Sequence, residues 1–244
     1  MQSSESFGAI VIVPAFNEEE NIAFVLRKIM RESRHIREVV VVDDGSTDKT
    51  AEIAKSLGAT VLRLEKNEGK ANAVLKGLGH ARAKNAKFAV TLDADILEFP
   101  EYAVERMILP LAENERLAMA IASSKELGVD FPESISHDYS GNRSFRLSAL
   151  DPLFKKIKGH SKLRHVEGKG YGLEIALKNI VPKARTVNLS NFYFLHRRAF
   201  RDSESFASRQ QRDIMKVKNS FLARKRLARM IRAKRANRGR VLPK

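Results

Sequence analysis

The sequence predicts an α/β fold, with a mostly parallel sheet, helices on both faces and a C-terminal basic helical extension. Three observations predict it. Near-continuous runs of β-branched residues, such as Val39-Val40-Val41-Val42, are what strands covered on both faces require. These runs alternate with segments of helical period. The charge is also uneven: residues 1–196 hold 28 Lys+Arg against 26 Asp+Glu, while residues 197–244 hold 17 against 3. The body is thus nearly neutral, and most of the net +16 belongs to the tail.

The elements follow in order. A strand is expected over 9–13, closed by Pro14, then a helix over 19–31. The valine run makes 38–42 a strand, and 47–56 a helix with Ser46 or Thr47 offering a cap oxygen. A strand over 60–64 precedes a helix over 70–83, which opens directly behind Gly69. A strand over 88–92, a helix over 101–111 bracketed by Pro100 and Pro110, and a strand over 117–122 complete the alternation. Beyond about Ser123 it weakens. Ser140-Gly141-Asn142-Arg143-Ser144 leads to a short apolar segment, and Gly168-Lys169-Gly170-Tyr171-Gly172 leads into Leu173–Leu177, helical in period. The divisions are therefore 8–123, a second lobe of the same domain over 124–200, and a tail over 201–244.

A hydrophobic fraction of 43% excludes wholesale disorder. The absence of cysteine excludes disulfides and thiolate metal sites and fits a reducing compartment. Residues 1–8 lack the basic-then-apolar order of a signal peptide. No run reaches the ~20 apolar residues of a membrane-spanning helix. The expectation is a cytoplasmic chain, soluble or bound to a surface.

Three strands end in acid or amide groups: Asn17-Glu18, Asp43-Asp44 and Asp93-Ala94-Asp95. In an open parallel sheet, ligands bind outside the carboxyl ends of the strands, where the strand order reverses. In extended backbone, Asp93 and Asp95 would face the same way and reach one hard cation, with the small Ala94 letting a ligand approach. Mg²⁺ or Mn²⁺ takes oxygen ligands and keeps positions open for phosphate oxygens. The six His residues are scattered without ligand spacing.

On Pro14-Ala15-Phe16-Asn17-Glu18, Val42-Asp43-Asp44-Gly45-Ser46-Thr47-Asp48, Asn67-Glu68-Gly69-Lys70 and Asp93-Ala94-Asp95, the chain resembles the family 2 glycosyltransferases of GT-A-type fold. Within them it is most similar to the polyprenyl-phosphate sugar transferases, the dolichol-phosphate group. Ser140–Arg146 and Gly170–Glu174 also have counterparts there. The resemblance implies a metal-dependent, inverting transferase that takes its sugar from a UDP- or GDP-linked donor. Residues 8–123 would then be the nucleotide-sugar-binding half and 124–200 the acceptor-side lobe. It further implies that Pro14, Phe16, Glu18, Val42 and Asp44 surround base and ribose, with Asp44 accepting from the base. Lys70, at a helix start, would meet phosphate. Asp93, Ala94 and Asp95 would contact donor, and Asp93 and Asp95 the metal. Asp138 and Glu174 are the candidates for a catalytic base. Arg143, Arg197 and Arg198 are candidates to clamp a phosphate acceptor.

In the tail, Ile214, Val217, Phe221 and Leu222 share one helical side. Leu227, Met230 and Ile231 fall on another, rotated by roughly 140°. A kinked or two-part helix is expected. Such a polybasic segment fits an anionic membrane surface, a nucleic acid or an acidic protein. The few aromatics offer no stacking platform for RNA, which favours the membrane. A nucleotidyltransferase also uses strand-end acids, but Pro14–Glu18 lacks the glycine-rich basic loop that such an enzyme needs. A non-catalytic nucleotide-sugar or nucleic-acid binding protein stays open as the reading from another class.

Overall fold

The computed structural model describes residues 6–125, 141–154 and 185–196, together with Leu173, Leu177 and Val181. The strands are β1 (Ala9–Ala15), β2 (Ile36–Asp43), β3 (Thr60–Arg63), β4 (Phe88–Thr91), β5 (Ile96–Glu98), β6 (Met119–Lys125), β7 (Arg143–Arg146) and β8 (Thr186–His196). The helices are α1 (Ile22–Met30), α2 (Thr50–Ser56), α3 (Lys70–Ala83) and α4 (Ala103–Glu113). Among the described residues, these eight strands join one sheet in the order β3-β2-β1-β4-β7-β6-β8-β5. The pairs β1–β2, β2–β3, β1–β4 and β6–β8 are parallel, and β7 runs antiparallel to both neighbours.

The valine runs behave as expected. Alternate residues of β1 and β2 enter opposite layers: Val11, Val13, Val39 and Val41 pack with α1, α2 and α4, while Ile10, Ile12, Val40 and Val42 pack with α3. Because β1 has β2 on one side and β4 on the other, both parallel, the strand order reverses at β1. The loops leaving β1, β2 and β4 therefore converge on one edge of the sheet. Ala15 stands opposite Asp43, and Thr91 opposite Ile12.

Three helix boundaries differ from expectation. α1 begins at Ile22, three residues late, because the Glu18 carbonyl first accepts from Asn21 and Ile22 N–H in a turn. α2 begins at Thr50 because Ser46 Oγ is taken by the Asn17 amide, leaving Asp48 Oδ1 to accept from Thr50 N. α4 runs through Pro110, which was expected to end it. Its ends are held from outside: the Glu32 carboxylate accepts from Ala103, Val104 and Glu105 N–H. At the other end the Arg146 guanidinium donates to the Leu111, Asn114 and Leu117 carbonyls.

β5 and β7 had no strand signal. β7 reads Arg-Ser-Phe-Arg yet is buried throughout between β4 and β6. Ser144 and Arg146 find main-chain acceptors, as when Ser144 Oγ donates to the Met107 carbonyl at 2.5 Å. β8 ends at His196, directly before the Arg197–Arg198 pair. Leu173 and Leu177 are helical and buried against the α3 layer, matching the period read in that segment. The basic tail lies outside the described residues.

Candidate functional site

Two loops at the carboxyl edge are interlocked. Asn17, at φ 54°, donates its N–H to Ser46 Oγ (3.0 Å) and accepts from Thr47 N at Oδ1 (2.9 Å). The Glu18 amide donates to Thr50 Oγ1 and the Glu19 amide to Asp48 Oδ2, while Glu19 Oε2 accepts from Lys49 N. Asparagine tolerates this left-handed backbone better than most residues. Burial pulls the Asp48 carboxyl upward, but the Thr50 hydroxyl and the Thr50 and Glu19 amides outweigh it, and its pKa lies below the ordinary value. These hydrogen bonds hold the loop that carries Phe16, a residue 42% exposed. Pro14 and Val42, expected at the nucleotide, are buried register partners beneath these loops. Glu18 accepts from Asn21 Nδ2 at Oε2 (2.6 Å).

The two acids after β2 point to different partners. Asp43 Oδ1 accepts from Ser46 N, and Arg63 braces the same turn by pairing with Asp43 Oδ2 (3.3 Å) and donating to the Ser46 carbonyl (2.9 Å). Asp44 accepts from Glu68 N (2.8 Å) and Gly69 N (2.9 Å), one with each oxygen. Burial pushes its carboxyl up, the two amides oppose this, and the charges of Glu68 and Asp43 add to the rise. Gly45 lets the strands' loops close: at φ +75°, a Cβ there would lie 2.6 Å from the Lys66 carbonyl carbon. Asp44 therefore clamps the turn from which α3 and Lys70 start.

β4 ends at Thr91 and a turn at Ala94–Asp95 follows, so the strand pleat does not align Asp93 with Asp95. Asp95 is 8% exposed, and Ala94, expected to admit a ligand, is buried. Asp93 Oδ1 holds the Lys70 ammonium at 2.5 Å, and the Asp93 amide donates to Asn142 Oδ1 (3.0 Å). Thr91 Oγ1 donates to the Gly141 carbonyl (2.7 Å). A Cβ on Gly141 would sit 2.5 Å from both Asp93 Oδ1 and Lys70 Nζ. The start of β7 is thus folded directly over the acid–lysine pair.

Arg143 does not stand at an exposed surface. This candidate acceptor clamp is buried in β7, with Nη1 donating to Met119 Sδ (3.5 Å). Asp138, Glu174, Arg197 and Arg198 lie outside the described residues. Sequence reasoning missed Asn142, Thr91 and Arg63 as parts of the site. The Gly-Asn step in the noted Ser140–Ser144 stretch was the available signal for Asn142.

Among the described residues, no group of three or more His, Cys, Asp or Glu gathers to hold a metal. The carboxylates of Asp93 and Asp95 are the kind of oxygen donor that Mg²⁺ or Mn²⁺ takes, the rest of its shell coming from phosphate and water. Asp93 Oδ1 already carries a cation, the ammonium of Lys70.

Residues 10–171 match a family model described as Glycosyl transferase family 2. An uncharacterized protein of Methanocaldococcus jannaschii is 42% identical over 113 residues, 46% of this chain and 45% of that protein. The 4,4'-diaponeurosporenoate glycosyltransferase of Staphylococcus aureus is 37% identical over 103 residues, 40% of this chain and 26% of that protein. The matched stretch thus spans less than half the length of either relative. Among solved structures, glucosyl-3-phosphoglycerate synthase from Mycobacterium tuberculosis, in complex with Mn²⁺, UDP-glucose and phosphoglyceric acid, superimposes with a TM-score of 0.66 at 20% identity. It covers 87% of this chain and 78% of that one. The likeness is one of fold, α/β of the GT-A type.

Proposed function

The chain belongs to glycosyl transferase family 2, and from that premise we propose that it transfers a sugar, with inversion, from a UDP- or GDP-linked donor to an acceptor. The observation that carries the reading is the Lys70–Asp93 pair at the strand-order reversal, with Asp95 two residues on. Phe16 would supply a flat wall for the base. Asp44 fixes Glu68 and Gly69, so that the first amides of α3 and the Lys70 ammonium are presented to a diphosphate. Asp93 and Asp95 would hold Mg²⁺ or Mn²⁺, which when bound neutralises charge on the departing diphosphate as a Lewis acid. Binding of Mn²⁺ and UDP-glucose by the mycobacterial neighbour favours a UDP donor and manganese.

For the acceptor, Asp138 or Glu174 would take a hydroxyl proton. A phosphate acceptor is already anionic and needs cationic clamping instead, for which Arg197 and Arg198 are suited. We favour a polyprenyl phosphate, reached by a protein bound peripherally at the cytoplasmic face of a membrane. The support is the tail, since each Lys or Arg near an anionic surface contributes ~1 kcal/mol. A soluble enzyme with a non-lipid acceptor is the second reading, favoured by the phosphoglyceric acid bound to the same neighbour. Nucleic-acid binding through the tail ranks below both.

Donor turnover should require Mn²⁺ or Mg²⁺ and collapse in Asp95→Ala. Full activity in that variant would remove the metal role. A thermal-shift panel of UDP, GDP, dTDP and CDP sugars with Mn²⁺ would name the donor, because a ligand that prefers the folded state raises Tm.

A further inference from the structure

The Lys70 ammonium stands 2.5 Å from Asp93 Oδ1, on the carboxylate that the donor reading assigns to the metal. The Lys70 side chain is 48% exposed and that of Asp93 15%, so the lysine can swing outward while the acid stays in place. The acid is fixed from behind by the bond from its own amide to Asn142 Oδ1, and Gly141 presses on the contact point of the pair. An ammonium and a divalent ion cannot both sit against one carboxylate oxygen without strong repulsion. We propose that Lys70 is an exchangeable counter-cation: it occupies the metal's position on Asp93 until the ion arrives, then transfers to the donor diphosphate. This rests on the donor reading above and deepens it, making metal and nucleotide binding cooperative through one side chain. Mn²⁺ alone must displace Lys70, whereas Mn²⁺ with a diphosphate gives the released ammonium a new anionic partner.

The test is Mn²⁺ binding to the full chain by calorimetry or spin resonance, without nucleotide, in wild type, Lys70→Met and Lys70→Gln. An ion pair this exposed predicts roughly two- to fivefold tighter Mn²⁺ binding in both variants. UDP binding at saturating Mn²⁺ should weaken in the same variants. Independently, amine acylation of Lys70, read by peptide mass spectrometry, should rise when Mn²⁺ is added and fall again with Mn²⁺ plus UDP. Unchanged or weaker Mn²⁺ affinity in both variants, or acylation that ignores Mn²⁺, overturns the exchange while leaving the donor reading intact. Absence of Mn²⁺ binding to wild type and variants alike, with UDP present as well as without it, overturns both.

Discussion

Replacing Gly141 by alanine probes the site without touching an acid. The new methyl would lie 2.5 Å from Asp93 Oδ1 and Lys70 Nζ and 3.0 Å from Asp93 Oδ2, whereas ordinary contact begins at 3.4 Å. One or both side-chain ends must then move by about 0.9 Å, the difference between 3.4 and 2.5. Both are ends of side chains rather than backbone, and Gly141 has no positive φ, so folding should lose no more than about 1 kcal/mol. For a chain of this size that corresponds to roughly 2–4 °C in Tm. Catalysis is less forgiving, since a misplacement near 1 Å can cost about 10²-fold. The expected result is a 10- to 100-fold loss in kcat/KM for Mn²⁺-dependent donor turnover, about 1.4–2.7 kcal/mol, with a nearly unchanged melting curve. Gly79→Ala serves as the control: its Cβ would meet nothing within 4 Å, and a helical alanine should hold or raise Tm. Wild-type kcat/KM in Gly141→Ala would refute the claim that this glycine sets the acid–lysine geometry.

Glu32→Ala removes the acceptor for three amides at the start of α4 and should cost about 1–2 kcal/mol, read as a lower Tm. Glu38 accepts from Thr60 Oγ1 (2.8 Å) and lies 3.0 Å from His80 Nε2. Burial alone would raise its carboxyl, but these partners hold it below the ordinary 4.5. Its contribution is therefore complete above about pH 4.5 and is lost as pH falls through the folded value; the Tm gap between wild type and Glu38→Gln should close on acidification below that point. Deleting residues 203–244 should abolish salt-sensitive binding to vesicles containing phosphatidylserine while leaving the thermal response to donor in place. Salt-sensitive RNA binding without vesicle binding would overturn the membrane proposal.

The elements read most accurately are those where local pattern and tertiary demand agree. Val39–Val42 can only be a doubly covered strand, and α3 was read to the residue because Gly69 opens it and its period is sustained. The start of α2 went wrong because the oxygen expected as its cap, Ser46 Oγ, is used 29 residues away by Asn17. α4 passes Pro110 because Arg146, 36 residues on, holds its carboxyl end at the Leu111 and Asn114 carbonyls. β7 was illegible for a related reason: a central strand of Arg-Ser-Phe-Arg satisfies its polar groups on distant partners, main-chain carbonyls for Ser144 and Arg146 and Met119 Sδ for Arg143, and no period reports that.

By itself the sequence determined the alternation of strands and helices and the location of three acid-bearing strand ends. Those follow from apolar period and from the rule that ligands gather where parallel strands terminate. Only the tertiary structure decided what the acids touch. It turned Asp44 inward onto two amides, set Lys70 on Asp93, and brought Gly141 and Asn142 across some fifty residues to hold that pair. The physical reason is that a strand's hydrophobicity is a local property. The partner of a buried charge, by contrast, is selected by whichever distant donor the closed sheet delivers within about 3 Å.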